Sequence, residues 1–102
     1  MIRAVFFESE SGRGFEITGH AGGNAGSDIV CAAVSSAVYM AANTVTDVIN
    51  VHADISEQDG HFRWFSVNAD DTSAAAVLDG LKLHLTELSK QYPKKIKVIT
   101  EV

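Results

Sequence analysis

The chain has 102 residues, 46% of them hydrophobic and 21% charged, with a formal net charge of −5. This size fits one domain with one core, and the acidic balance opposes nonspecific nucleic-acid binding, which needs a basic face. One cysteine excludes an internal disulfide, no secretory leader or ~20-residue apolar span is read, and the expectation is a cytoplasmic protein without a membrane partner.

Ile2 to Glu8 is rich in Ile, Val and Phe and predicts a strand. Ser9-Glu10-Ser11-Gly12 is turn chemistry. Gly14 to Thr18 alternates, with Phe15 and Ile17 on one face, so the two runs predict a β-hairpin. A glycine-rich loop follows, and Ser27 or Asp28 then offers a helix N-cap. From Ile29 to Asn50, apolar residues recur at Cys31, Val34, Val38, Ala42, Val45 and Ile49, near helical period. The first half of this helix is apolar almost all round, which predicts cover on more than one face, by a sheet and by a second helix or a partner subunit.

Val51 to Glu57 and His61 to Asn68 alternate around Gln58-Asp59-Gly60, a strong hairpin signal. In the second run Phe62, Trp64 and Ser66 share one face and Arg63, Phe65 and Val67 the other, which predicts an interior strand. Asp70-Asp71-Thr72 caps a second helix. Its apolar seam runs Ala74, Leu78, Leu81, Leu85, Leu88 and Tyr92. Pro93 ends it, and Ile96 to Val102 predicts a last strand. The order is ββαββαβ, an α+β two-layer sandwich with two helices on a sheet of about five strands. No internal domain boundary is visible, so residues 1–102 read as a single domain.

The chemistry concentrates between Thr18 and Ser36. This stretch holds four of the eight glycines, the only cysteine, and a histidine eleven residues before it. With Asp28 as N-cap, Cys31 falls at the third helical position, where the amide dipoles favour a thiolate. The competing reading is a small buried hydrophobe on the Val34–Val38 seam. His20 closes the second strand. Its imidazole suits it to take a thiol proton and return it to a leaving amine, whereas a lone loop histidine needs no such role. A nucleophile at a helix start and a base at a strand end, joined by one short loop, form the pair that this chemistry requires.

Asp28 either orients His20 or only caps the helix. Ser35, one turn beyond Cys31 on the same face, either bonds the thiolate or bonds back to the helix. Gly19, Gly22, Gly23, Asn24 and Gly26 make up a glycine loop, a candidate substrate loop. The glycine spacing fits neither the dinucleotide pattern nor the P-loop, so phosphate binding is a minor reading, and the same free amides could instead form an oxyanion hole beside the nucleophile. No metal-ligand spacing is present, and no cofactor is implied. His52, His61 and His84 read as structural.

These residues resemble a family, the ribosomal-processing cysteine proteases of bacteria. The resemblance rests on Gly19-His20-Ala21 and on Gly26-Ser27-Asp28-Ile29-Val30-Cys31-Ala32-Ala33-Val34-Ser35, and size and element order extend it along nearly the whole chain. It implies a homodimeric Cys–His protease, with Cys31 as nucleophile, His20 as base, and Asp28 and Ser35 at further motif positions. It also implies the substrate: the N-terminal extension of large-subunit ribosomal protein twenty-seven, a basic protein that an acidic enzyme suits. The alternative from another class is a non-catalytic, ribosome-associated assembly factor that keeps the fold and uses the loop for binding.

Overall fold

A computed structural model describes residues 1–20, 25–69 and 71–101, with the backbone alone described for residues 25–28. Five strands form one sheet: β1 (Ile2–Ser9), β2 (Gly12–Thr18), β3 (Asp54–Gln58), β4 (His61–Ser66) and β5 (Ile96–Glu101). Their spatial order is β3-β4-β2-β1-β5. β5 runs parallel to β1, and every other pairing is antiparallel. Two helices, α1 (Ala25–Asn43) and α2 (Thr72–Gln91), complete the expected ββαββαβ sandwich. β4 lies between β2 and β3, the interior place that its two-faced aromatic pattern predicts.

One face of the sheet receives both helices. Ile2, Ala4 and Phe6 of β1, Phe15 of β2, and Trp64 of β4 point to it and are buried. The rings of Phe6, Phe62 and Trp64 all lie close to Phe15, with centroids 5.9–6.0 Å away. α1 packs on this face through Val30, Val34, Val38, Ala41 and Ala42, and α2 through Ala74, Leu78, Leu81 and Leu85. Those positions recur every three or four residues, so each helix contributes one continuous stripe. Arg13 and Glu8 tie the strands to α2, Arg13 through Asp79 at 2.6 Å and Glu8 through Lys82 at 3.1 Å.

The start of α1 corrects the sequence reading. The helix begins at Ala25, three residues before Asp28, so neither Ser27 nor Asp28 is its N-cap. An acidic residue is tolerated inside a first turn because it faces the positive end of the helix dipole. Counting from Ala25, Cys31 is the seventh residue of the helix and lies in its second turn. That is beyond the first turn, the reach of the helix dipole, and not the third position expected.

The other end of α1 continues into a π-helical turn, Thr44–Val48. Asn50 then adopts a left-handed conformation, φ 66°, and β3 starts only at Asp54, not at Val51. Val51 instead donates its N–H back to the carbonyl of Val45 at 3.0 Å, and the carbonyl of His52 accepts from Ser66. These bonds hold the connection off the ladder. The segment Ile29–Val48, with mean hydropathy 1.5, is long and apolar enough to cross a bilayer, contrary to the sequence expectation. Its Val30, Val34, Val38 and Val45 are spent on the core of this fold.

Asp71 caps α2 as expected, accepting from the N–H groups of Ser73 at 2.9 Å and Ala74 at 3.2 Å. Leu88 and Tyr92 are partly buried against the core at the far end of the same seam.

Candidate active site

His20 stands just past the end of β2, where the backbone is held from two sides. Gly19 donates its N–H to the carbonyl of Gly60 at 2.9 Å. The carbonyl of His20 accepts from the backbone nitrogen of Met1 at 2.7 Å. Gly19 has φ +90°, and a Cβ at this residue would sit 2.4 Å from the carbonyl oxygen of Met1. Only glycine fits that combination of left-handed backbone and close approach. The loop leaving β2 is thus bonded to β1's start and to the β3–β4 turn, although the His20 side chain itself is exposed.

Across from it, α1 presents Cys31, Val34, Ser35, Val38 and Tyr39 to one cleft of about 410 Å³. The spacing i, i+3, i+4, i+7, i+8 is one face of an α-helix. Val34 and Val38 are buried at its base, Cys31 is half-buried, and Ser35 and Tyr39 are exposed along it. Ile17 of β2 and Phe62 of β4 form the floor, and Glu57, Gln58, Asp59 and Gly60 form the opposite rim. His20 and Gly19 line the same cleft. The volume lies in the range of a small-ligand or peptide-side-chain site.

The end of the cleft away from Cys31 is braced. Tyr39 donates its hydroxyl to the carboxylate of Glu57, and its ring meets Phe62 edge-on at 5.4 Å. Eight residues at 1.5 Å each separate Tyr39 from Cys31 along α1, about 12 Å. His61, read as structural from sequence, also lines the cleft and holds Glu16 on the neighbouring strand at 2.6 Å.

The structure therefore brings together Gly19, His20, Cys31 and Ser35 from the sequence-predicted set. Gly26 and Asp28 lie in the first turn of α1, upstream of Cys31. Gly22, Gly23 and Asn24 lie outside the described residues, and with them the expected substrate loop and oxyanion hole. Sequence reasoning missed Tyr39, Glu57, Gly60 and His61 as cleft residues. For Tyr39 a signal exists, since it shares the helical face of Cys31. For Glu57 and Gly60 the only signal is the hairpin itself, which says nothing of what its turn faces. Among the described residues, no group of three or more His, Cys, Asp or Glu side chains converges as a metal site.

A half-buried thiol on a helix, an imidazole on a facing loop, and a cleft long enough for a short extended peptide suit acyl transfer through sulfur. The family model described as Cysteine protease Prp matches residues 1–97. The chain belongs to the Prp family of cysteine proteases.

Individual Prp proteins agree. The ribosomal processing cysteine protease Prp of Bacillus subtilis is 30% identical over 95 residues, covering 86% of this chain and 85% of its own. The Staphylococcus aureus Prp is 30% identical over 83 residues, 78% of each chain. The crystal structure of an essential S. aureus Prp with a covalently linked product peptide superposes at TM-score 0.87, with 26% identity, 99% of this chain and 100% of that one covered. A Streptococcus mutans structure superposes at TM-score 0.77 with 29% identity, covering 99% of this chain and 96% of that one.

Proposed function

We propose that this chain is an endopeptidase that removes the N-terminal extension of large-subunit ribosomal protein twenty-seven, with Cys31 as nucleophile and His20 as its base. The observation that carries this reading is that His20 and Cys31, supplied by a loop and a helix, line one cleft. The S. aureus Prp structures with a covalently linked product peptide and with a substrate peptide support a covalent route.

In that route His20 accepts the Cys31 thiol proton as Sγ attacks the scissile carbonyl carbon. The tetrahedral intermediate collapses, the C–N bond breaks, and the imidazolium returns its proton to the leaving amine. The thioester left on Cys31 is then hydrolysed by water, with His20 again taking the proton. Ser35, exposed between Cys31 and Tyr39, is placed to hydrogen-bond the peptide backbone or the thiolate. The cleft rim supplies Glu57 and Asp59, and such an acidic edge favours a basic substrate through charge complementarity.

The same reading makes the protein a cytoplasmic homodimer acting as one domain per chain. Support for the dimer comes from α1, where Ile29 is 66% and Met40 63% exposed. Beside them, Ala33, Ala37, Val77 and Leu81 line an apolar groove between α1 and α2. A second copy across a twofold would cover such a surface isologously. Sedimentation at micromolar concentration should show a species near twice the chain mass, and a lone species of about one chain mass contradicts the dimer.

The function is tested by incubating the host's ribosomal protein with wild type and Cys31→Ala and reading the products by mass spectrometry. One N-terminal cut by wild type and none by the variant is expected. Tight binding of the ribosomal protein without any cut by wild type would replace the protease with an assembly factor.

A further inference from the structure

The proposed mechanism gives no role to Gly60, the cleft glycine that turns β3 into β4. Gly60 has φ +71°. A Cβ built on it would lie 2.8 Å from Nε2 of His20 and 3.5 Å from Cδ2 and Cε1 of the same ring. All three nearest atoms belong to that imidazole. The outer edge of the ring thus rests against a bare α-carbon. The carbonyl of the same glycine accepts the N–H of Gly19 at 2.9 Å, so one turn residue holds both the backbone before His20 and its side chain.

We propose that Gly60 is a positioning residue for His20, seating the imidazole in the orientation from which it serves Cys31. This rests on the reading of His20 as the base. His20 is exposed, so core packing does not fix its ring, and an exposed side chain changes rotamer freely on fast timescales. A base must stay within hydrogen-bond reach of its nucleophile. The seat restricts the ring on the side of the β3–β4 turn.

The size of the effect follows from the contact. Carbon and nitrogen atoms settle at about 3.5–4.0 Å, so a side chain at position 60 must push the ring away by about 0.7–1.2 Å from its 2.8 Å approach. A misplacement of about 1 Å costs on the order of 10²-fold in rate. Asparagine also tolerates positive φ, so placing it at position 60 separates the effect of the added side chain from that of the left-handed backbone.

The test uses Gly60→Asn and Gly60→Ala beside His20→Ala in the full-length protein. It reads melting temperature, kcat and KM for a cleavable peptide, and the pH profile of Cys31 alkylation by iodoacetamide. Gly60→Asn should remain folded, lose on the order of 10²-fold in kcat with KM within a few-fold, and shift the alkylation profile towards that of His20→Ala. Gly60→Ala should show the same kinetic loss with a larger loss of stability, since alanine is strained at this φ. A folded Gly60→Asn with wild-type kcat and alkylation profile would overturn the proposal. So would failure of Gly60→Asn to fold, which would assign the glycine to the turn alone. An active His20→Ala would instead overturn the base, and an inactive His20→Ala beside a fully active Gly60→Asn would overturn only the seat.

Discussion

Phe15 is the residue on which sheet, core and cleft all depend. It is fully buried, with relative exposure 0%, and its ring is within 6.0 Å, centroid to centroid, of Phe6, Phe62 and Trp64. Truncation to alanine removes a whole ring from a site whose neighbours are themselves fixed on the two flanking strands, β1 and β4, and cannot collapse inward. Such changes cost about 3–5 kcal/mol, against a total stability of roughly 5–15 kcal/mol for a domain of this length. At about 4–8 °C per kcal/mol, the melting temperature should fall by at least ~12 °C. Urea unfolding should show a lower midpoint with an unchanged slope. Leu83→Ala is the control, because Leu83 is 62% exposed and should shift stability by no more than ~0.5 kcal/mol. Because Phe15 backs the cleft-floor ring of Phe62, the milder Phe15→Leu should stay folded yet raise KM. A Phe15→Ala protein within 1 kcal/mol of wild type, an order-of-magnitude bound set by the same cavity costs, would refute the packing argument.

Asp71→Ala removes the acceptor for two first-turn N–H groups of α2 and should cost about 0.5–2 kcal/mol, read as a lower urea midpoint. Gly80→Ala should raise that midpoint by up to ~1 kcal/mol, since a Cβ there meets nothing within 4 Å. Tyr39→Phe deletes the hydroxyl that reaches Glu57 across the cleft. Peptide kinetics should show KM raised with kcat nearly unchanged, and calorimetry a melting point close to wild type, because Tyr39 is 43% exposed and bonds at exposed sites add little to stability.

Much of this fold is legible because its signals are local. Phe62, Trp64 and Ser66 alternate with outward residues, Asp59-Gly60 marks the hairpin, and Asp71 marks the start of α2. The face carrying Cys31, Val34, Ser35 and Val38 is likewise set by helical period alone. The start of α1 was not legible, because Gly26, Ser27 and Asp28 read equally well as loop, cap or first turn. Val51–Ala53 alternates like a strand but is drawn off the ladder by its bonds to Val45 and Ser66. Nor could the sequence show that Gly60 lies against His20 or that Glu57 reaches Tyr39, since those contacts join elements separated by forty and eighteen positions. They depend on strand order, and although the aromatic pattern of β4 marks it as interior, no local pattern encodes that β2 is its second neighbour.

The central claim is that Cys31 carries the acyl group during cleavage. Rapid acid quench of the protein with the substrate peptide, followed by intact-mass and peptide-mapping spectrometry, reads that species directly. A mass increase equal to the N-terminal product less one water, located on Cys31 and absent from Cys31→Ala, is expected. Undiminished cleavage by Cys31→Ala, or an adduct located on another residue, would contradict it.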